Sequence, residues 1–264
     1  MINPKVLVLI GYGINCDEET KFAFEKAGAK ADLIHINDLI ETPKKIDHYQ
    51  IIAFPGGFSY GDDTGSGNAL AWKIKNNLGI ERFIKDDKLV IGICNGFQVL
   101  VNLGLLPAIN GQYGQRQVAL NHNDSARYSD RWVDLDFGKK SLWTKDVGKI
   151  SLPIAHGEGN FYASQEILDQ IKRKNLIAAK YIDGEICKYQ NLPANPNGSL
   201  ENIAGITDET GKILGLMPHP ERAITFTQLP HWTFLKEKFV REGREIPDES
   251  DGIKIFKNGV NFFK

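Results

Sequence analysis

Three short, nearly unbroken apolar runs mark the first hundred residues: Val6-Leu7-Val8-Leu9-Ile10, Ile51-Ile52-Ala53-Phe54 and Leu89-Val90-Ile91-Gly92-Ile93. Runs of this length, bounded by Gly, Pro or charge, suit strands covered on both faces, as in a parallel sheet. Between the first two, residues 17–27 carry a helical period through Phe22, Ala23 and Ala27 and stop at Gly28. Further helices are predicted over 68–77 and 97–103, the second closing on Gly104. Strand, helix, strand alternation of this kind predicts an α/β fold: an open, doubly wound, mostly parallel sheet with helices on both faces.

The second half changes character. Shorter strands are predicted at 150–154, 203–207 and 213–217, and the last two are joined by Asp208-Glu209-Thr210-Gly211-Lys212. A Gly-containing connection of this length predicts a hairpin, and so an antiparallel edge. Pro193 to Ser199 reads as a loop by composition. After Pro230, Trp232, Phe234, Phe239, Phe256 and Phe262 are interspersed with charge, so the tail is expected to dock. The chain reads as one domain, 1–264, with a C-terminal extension from about residue 229.

Composition narrows the function classes. With 264 residues, 42% hydrophobic and 25% charged, the chain is not disordered, collagen-like or disulfide-stapled. A net charge of -1 lacks the basic excess that a nucleic-acid footprint needs, so no nucleic acid partner is expected. No run approaches the roughly 18 apolar residues of a membrane helix, and the one beginning at Lys5 is too short for a signal-peptide core. The three cysteines, at 16, 94 and 187, fit reduced thiols, and a cytoplasmic protein is expected.

The sharpest local pattern is Gly92-Ile93-Cys94-Asn95-Gly96, set between a buried-strand run and a helical run. A Gly-x-nucleophile-x-Gly turn there keeps side chains out of a crowded junction and lets the nucleophile take a strained pose. At a helix N-terminus the free amides and positive dipole end favour a thiolate. The same turn also accommodates an inert buried Cys. In Met217-Pro218-His219-Pro220-Glu221-Arg222 the prolines predict an extended segment, with His219 and Glu221 facing one side. That places a base for Cys94 beside a carboxylate that orients it, although a solvated loop would carry the same residues. Phe54-Pro55-Gly56-Gly57-Phe58 follows the second strand, at the same carboxyl edge, where glycine amides and that of Asn95 could face an oxyanion. Gly11-Tyr12-Gly13 lacks a third glycine at the dinucleotide spacing, where Cys16 stands, so a nicotinamide site is rejected. The six histidines and the remaining cysteines show no zinc spacing, so no metal is assigned, and Cys16 and Cys187 read as core or helix-end thiols.

Taken together these motifs resemble the class I (triad) glutamine amidotransferases, whose Gly-x-Cys-x-Gly elbow and later His-x-Glu form a Cys-His-Glu triad. More narrowly, the sequence resembles the glutaminase subunits of phosphoribosylformylglycinamidine synthases, which act in de novo purine synthesis. The matches are Asn15-Cys16-Asp17, Pro55 to Asp62, Gly92 to Gln98, Asn123 to Arg131, Ala155 to Phe161 and Met217 to Arg222. Asp63-Thr64-Gly65-Ser66-Gly67 departs from the Tyr-Leu-Arg-like stretch frequent in that family.

The resemblance implies catalysis by Cys94, His219 and Glu221, an oxyanion hole at Gly57 and Asn95, and glutamine binding by Gly56, Phe58, Gln98, Asn160 and Phe161. It implies no cofactor in this chain, with ATP and magnesium on a synthetase partner that receives ammonia, and a small bridging subunit between the two. Arg127 and Arg131 read as surface salt-bridge residues, with a partner or phosphate contact as the other option. The rival readings are a stand-alone intracellular cysteine hydrolase on a related fold and a non-catalytic regulatory subunit. Against the first, such hydrolases usually carry the His next to the nucleophile, where this chain has Asn95; against the second, Cys94, His219 and Glu221 are all intact.

Overall fold

The computed structural model describes residues 3–264, apart from the side chains of Glu81 and Lys85. The first half runs β1 (Lys5–Ile10), α1 (Asp17–Lys26), β2 (Lys30–His35), α2 (Ile36–Glu41), β3 (Ile51–Phe54), α3 (Asn68–Asn77), α4 (Glu81–Lys85), β4 (Leu89–Ile93) and α5 (Asn95–Asn102). The second adds β5 (Val118–His122), β6 (Ser129–Phe137), β7 (Lys149–His156), β8 (Glu158–Ala163), α6 (Gln165–Arg173), β9 (Ile177–Ile182) and α7 (Glu185–Gln190). It closes with β10 (Ile203–Thr207), β11 (Ile213–Leu216), α8 (Trp232–Arg241) and α9 (Ile253–Asn261).

The strands form a nine-stranded sheet in the order β2-β1-β3-β4-β11-β10-β9-β6-β7, and β5 and β8 form a separate antiparallel pair. Strands β2, β1, β3, β4 and β11 run parallel; β10, β9, β6 and β7 continue antiparallel. The three apolar runs are β1, β3 and β4, and every residue of β3 and β4 is buried. The expected hairpin is present, with Gly205 opposite Leu216 and Thr207 opposite Leu214. The step from β1 to β2 moves toward one edge, and that from β3 to β4 toward the other. Right-handed crossovers then put α1 and α3 on opposite faces, and the switch between β1 and β3 opens a crevice at the carboxyl edge.

Several elements escaped the pattern. β2 lies at the sheet edge and is mostly half-exposed, so it presents no apolar run. β6 alternates polar and apolar residues in Ser-Asp-Arg-Trp-Val-Asp-Leu-Asp-Phe, and it is buried by its neighbours β7 and β9 rather than by its own hydrophobicity. Helix α5 starts at Asn95, two residues before the predicted 97, because Cys94 is its cap. The tail docks through α9, where Phe256 is fully buried edge-on against Phe24 at 5.0 Å. Phe239 stacks on Phe226 at 5.8 Å, but Phe234 and Phe262 stay exposed, so only part of the aromatic set serves docking. Among the described residues, no helix is long and apolar enough to cross a membrane.

Candidate active site

Three loops meet at the carboxyl edge of β1, β3 and β4. Cys94 ends β4 and caps α5 with φ 51° and ψ −107°, a left-handed backbone that a non-glycine residue holds only when its surroundings enforce it. The enforcement comes from both flanking glycines: a Cβ on Gly96 would lie 1.9 Å from the Phe54 carbonyl oxygen, and one on Gly92 would lie 2.6 Å from that of Gly96. Strand and helix can approach this closely only without side chains, and the close approach holds the thiol at the junction. The thiol faces the Ala155 carbonyl at 3.6 Å.

His219 and Glu221 follow β11. The expected extended segment is absent: Pro220–Arg222 is a single 3-10 turn, closed by the Arg222 amide donating to the His219 carbonyl at 3.3 Å. Proline at the first helical position suits such a turn, because its fixed φ is already helical and it has no N–H to leave unpaired. The turn, rather than strand alternation, brings Glu221 Oε1 to 2.5 Å from His219 Nδ1, with both residues buried. The His219 amide also donates to the Pro153 carbonyl of β7 at 2.8 Å. With Nδ1 engaged, Nε2 is buried without a hydrogen-bond partner and is the atom free to take a proton. Burial is the strongest single influence and disfavours the imidazolium, but Glu221, Cys94 and Cys16 together outweigh it, and His219 is raised well above its ordinary pKa.

Gly56 is the meeting point. A side chain there would strike His219 Cε1 at 2.8 Å, Cys16 Sγ at 3.0 Å and Cys94 Cβ at 3.5 Å, so imidazole and nucleophile flank the same glycine. Its neighbour Gly57 has φ 148°, and a Cβ would lie 2.5 Å from the Gly13 carbonyl oxygen. The loop is held by the Asn15 and Cys16 amides, each 3.2 Å from the Gly56 carbonyl oxygen, and by the Phe58 amide, which donates to Gly13 at 2.7 Å. None of these bonds uses the Gly57 amide. Asn95 is the first residue of α5, where an amide has no partner within the helix. Both oxyanion candidates therefore keep a backbone amide that these bonds do not use.

The residues expected to bind glutamine divide. Gln98 is buried; its Oε1 accepts from Asn95 Nδ2 at 2.9 Å and its Nε2 donates to the Glu158 carbonyl at 2.5 Å, tying α5 to β8. Phe58 is exposed and packs against Tyr128, with ring centroids 6.1 Å apart. Asn160 is half-buried opposite Asn121 in the β5–β8 pair. Phe161 turns into the core, and its amide donates to Ser199 Oγ at 3.0 Å. Arg127 and Arg131 form no salt bridge among the described residues, contrary to expectation; Arg131 Nη2 instead donates to the Pro193 carbonyl. The approach of the loop over 193–199 supplies that partner, and no local sequence signal predicts it.

Two neighbours were missed as site residues. Cys16 caps α1, as a helix-end thiol should, but it also lies 4.0 Å from His219 Nδ1. Arg222 donates to Cys16 Sγ at 3.0 Å. The signal for Cys16 was its place in the loop after β1, since loops at the carboxyl ends of parallel strands share one crevice.

An open, mostly parallel sheet with thiol, imidazole and carboxylate gathered at its carboxyl edge has the plan of a glutamine amidotransferase domain. The sequence model of the CobB/CobQ-like glutamine amidotransferase domain matches residues 3–263, and the chain belongs to this family. More particularly, it is 50% identical over 266 residues to phosphoribosylformylglycinamidine synthase subunit PurQ of Methanococcus maripaludis, covering 98% of this chain and 97% of that relative. Identity to PurQ of Dehalococcoides mccartyi is 42%, over 99% and 98% of the two chains. A chain in the PurLQS structure from Thermotoga maritima is similar with a TM-score of 0.72 and 30% identity, covering 100% of both.

Proposed function

We propose that the chain is the glutaminase subunit of a phosphoribosylformylglycinamidine synthase. It hydrolyses glutamine and passes the ammonia to a synthetase partner, which converts formylglycinamide ribonucleotide to formylglycinamidine ribonucleotide in de novo purine synthesis. The observation that carries this reading is the convergence of Cys94 and His219 on Gly56, in a chain 50% identical to a PurQ subunit.

In the proposed mechanism, His219 Nε2 accepts the Cys94 proton as sulfur attacks the side-chain carbonyl carbon of glutamine. Glu221 stays ionised, fixes the tautomer with the proton on Nδ1 and stabilises the imidazolium. The Gly57 and Asn95 amides receive the oxyanion, each contributing about 3 kcal/mol to lowering the barrier. His219 then gives its proton to the departing nitrogen, releasing ammonia and leaving a glutamyl thioester on Cys94. Water, deprotonated by the same imidazole, cleaves the thioester to glutamate and restores the thiol. Gln98 and Asn160 bound the substrate's amino-acid end.

Water alone balances the hydrolysis, so we assign no cofactor to this chain and place ATP and magnesium on the synthetase. A small bridging subunit completes the assembly we envisage, in the cytoplasm, where Cys16, Cys94 and Cys187 remain free thiols. The test is glutamine hydrolysis by the chain with its synthetase partner, together with mass spectrometry after treatment with an electrophilic glutamine analogue. The expected outcome is an adduct on Cys94 and loss of hydrolysis in Cys94→Ala. Peptide cleavage without glutaminase activity, or wild-type rates in Cys94→Ala, would overturn the reading.

A further inference from the structure

The thiol of Cys16 is fully buried beside the catalytic imidazole, yet the mechanism above gives it no part. We propose that Cys16 is a positioning residue: its sulfur holds the turn carrying His219 and Glu221, while its backbone amide holds the loop carrying the oxyanion donor. The inference rests on the glutaminase reading.

The bonds run in two directions from this one residue. Toward the oxyanion loop, the Asn15 and Cys16 amides both donate to the Gly56 carbonyl at 3.2 Å, which sets the plane of the Gly56–Gly57 peptide. Toward the base, Sγ accepts from Arg222 Nη2 at 3.0 Å and lies 4.0 Å from His219 Nδ1. The sulfur is a thiol, since burial pushes its pKa up, and its S–H points to Asn15 Oδ1 at 3.4 Å. Arg222 is gripped a second time by Glu19 in the first turn of α1, at 3.5 Å. Because the Arg222 amide also closes the turn onto the His219 carbonyl, holding the guanidinium fixes both ends of the segment that contains Glu221. A Cβ on Gly56 would meet His219 Cε1 at 2.8 Å and Cys16 Sγ at 3.0 Å, so ring and sulfur flank the same glycine with no side chain between them.

A metal role fits the same atoms less well. One donor atom each from Cys16, His219 and Glu221 lie within 4.8 Å of one another, a set that zinc accepts. Here Nδ1 is already occupied by Glu221 at 2.5 Å, and a guanidinium, itself a cation, sits 3.0 Å from the sulfur. These donors are consumed by hydrogen bonds that shape the turn.

The experiment uses the chain in complex with its synthetase partner. Cys16→Ala removes the sulfur. The expected result is a fall of about 10²-fold in kcat for glutamine hydrolysis, the scale on which an ångström of misplacement acts, with KM for glutamine little changed and the acid limb of the kcat/KM profile displaced. Cys16→Ser, which keeps a small donor and acceptor, should recover most of the loss. Arg222→Gln should reproduce the defect, and the double variant should be no worse than the worse single one, as for two residues acting through one contact. Wild-type kcat and pH profile in Cys16→Ala would overturn the inference, and so would a change confined to thermal stability or KM. If Cys16→Ala does not fold, Arg222→Gln decides: wild-type kcat and pH profile there overturn it equally. Glutaminase activity that is lost in Cys94→Ala but intact in Cys16→Ala would refute this inference alone. No glutaminase activity in the wild-type complex would refute the function beneath it.

Discussion

Glu221 reaches His219 with one carboxylate oxygen, while the other has no partner among the described residues. The hydrogen bond to Nδ1 therefore sets the orientation of the ring. Glu221→Gln removes the charge that most raises the His219 pKa, and it offers an amide that can bind the wrong tautomer. We expect kcat to fall by about 10²- to 10⁴-fold, as when the acid of a catalytic triad is neutralised, together with a loss of stability at acid and neutral pH, where the raised His219 pKa contributes to folding; steady-state kinetics and a melting curve check both. His156 behaves in the opposite way. Burial, then the nearby His219 charge, depress its pKa to about 3. Asn123 Nδ2 donates to the Arg127 and His156 carbonyls, so Asn123 Oδ1 is the acceptor facing His156 Nδ1 at 3.1 Å and fixes the proton on that nitrogen, while burial keeps the ring neutral.

Between pH 3 and the ordinary histidine value near 6.5, the unfolded chain then binds a proton at His156 that the folded chain does not. Stability should fall on acidification through that window, by up to about 1.4 kcal/mol per pH unit from this ring. His219 does not mask the slope, because a raised folded pKa gives a contribution that is fully present below 6.5 and lost only as pH rises through the folded value. Denaturant titrations at pH 5 and 6 should show a shallower dependence in His156→Gln than in wild type. An identical slope would mean that the ring is not held neutral.

Among the elements, the packing of α5 onto β3 is decisive. The obstacle to a Cβ on Gly96 is the Phe54 backbone oxygen at 1.9 Å, which no rotamer change can relieve. Gly96→Ala is expected to cost about 3 kcal/mol or to prevent folding, at the upper end of overpacking effects. Gly157→Ala, whose nearest contact would be Tyr128 Cδ2 at 3.8 Å, serves as a control and should be close to neutral in the same denaturation experiment. The elements easiest to read from the sequence are those whose environment is uniform. β3 and β4 are buried on both faces and appear as apolar runs, and α3 carries its period from Asn68 to Asn77 as predicted. β2 and β6 were unreadable, because an edge strand and a polar-alternating strand take their burial from partners far away in sequence.

Across the whole molecule, the C-terminal segment closes on the turn that carries His219 and Glu221. The Ser250 amide donates to the Ile224 carbonyl at 3.1 Å and the Gly252 amide to the Ala223 carbonyl at 3.0 Å. A Cβ on Gly252 would lie 2.6 Å from the Pro220 carbonyl oxygen, directly beneath the His219–Glu221 turn. Helix α9 anchors this brace through Phe256 on Phe24 and through Asn258, which donates to the Trp143 and Lys145 carbonyls at 2.9 and 2.7 Å. Phe256→Ala should destabilise the protein by about 3–5 kcal/mol. Phe234→Ala, on the exposed α8, should change stability by less than about 0.5 kcal/mol in the same melting experiment.

The sequence by itself determined the chemistry and the sheet that carries it. Cys94 between two glycines, the Pro-His-Pro-Glu segment and the Gly56–Gly57 pair are local patterns, because a strained turn, a fixed proline φ and a side-chain-free loop are each specified by the residues that form them. Tertiary structure decided what those parts touch. That His219 and Glu221 meet through a 3-10 turn, that Cys16 and Arg222 stand behind His219, and that Gly252 supports the turn from the far end of the chain all depend on contacts between segments up to about two hundred residues apart. Such contacts arise only when the sheet brings its strand ends to one edge, and a one-dimensional pattern contains no distance across it.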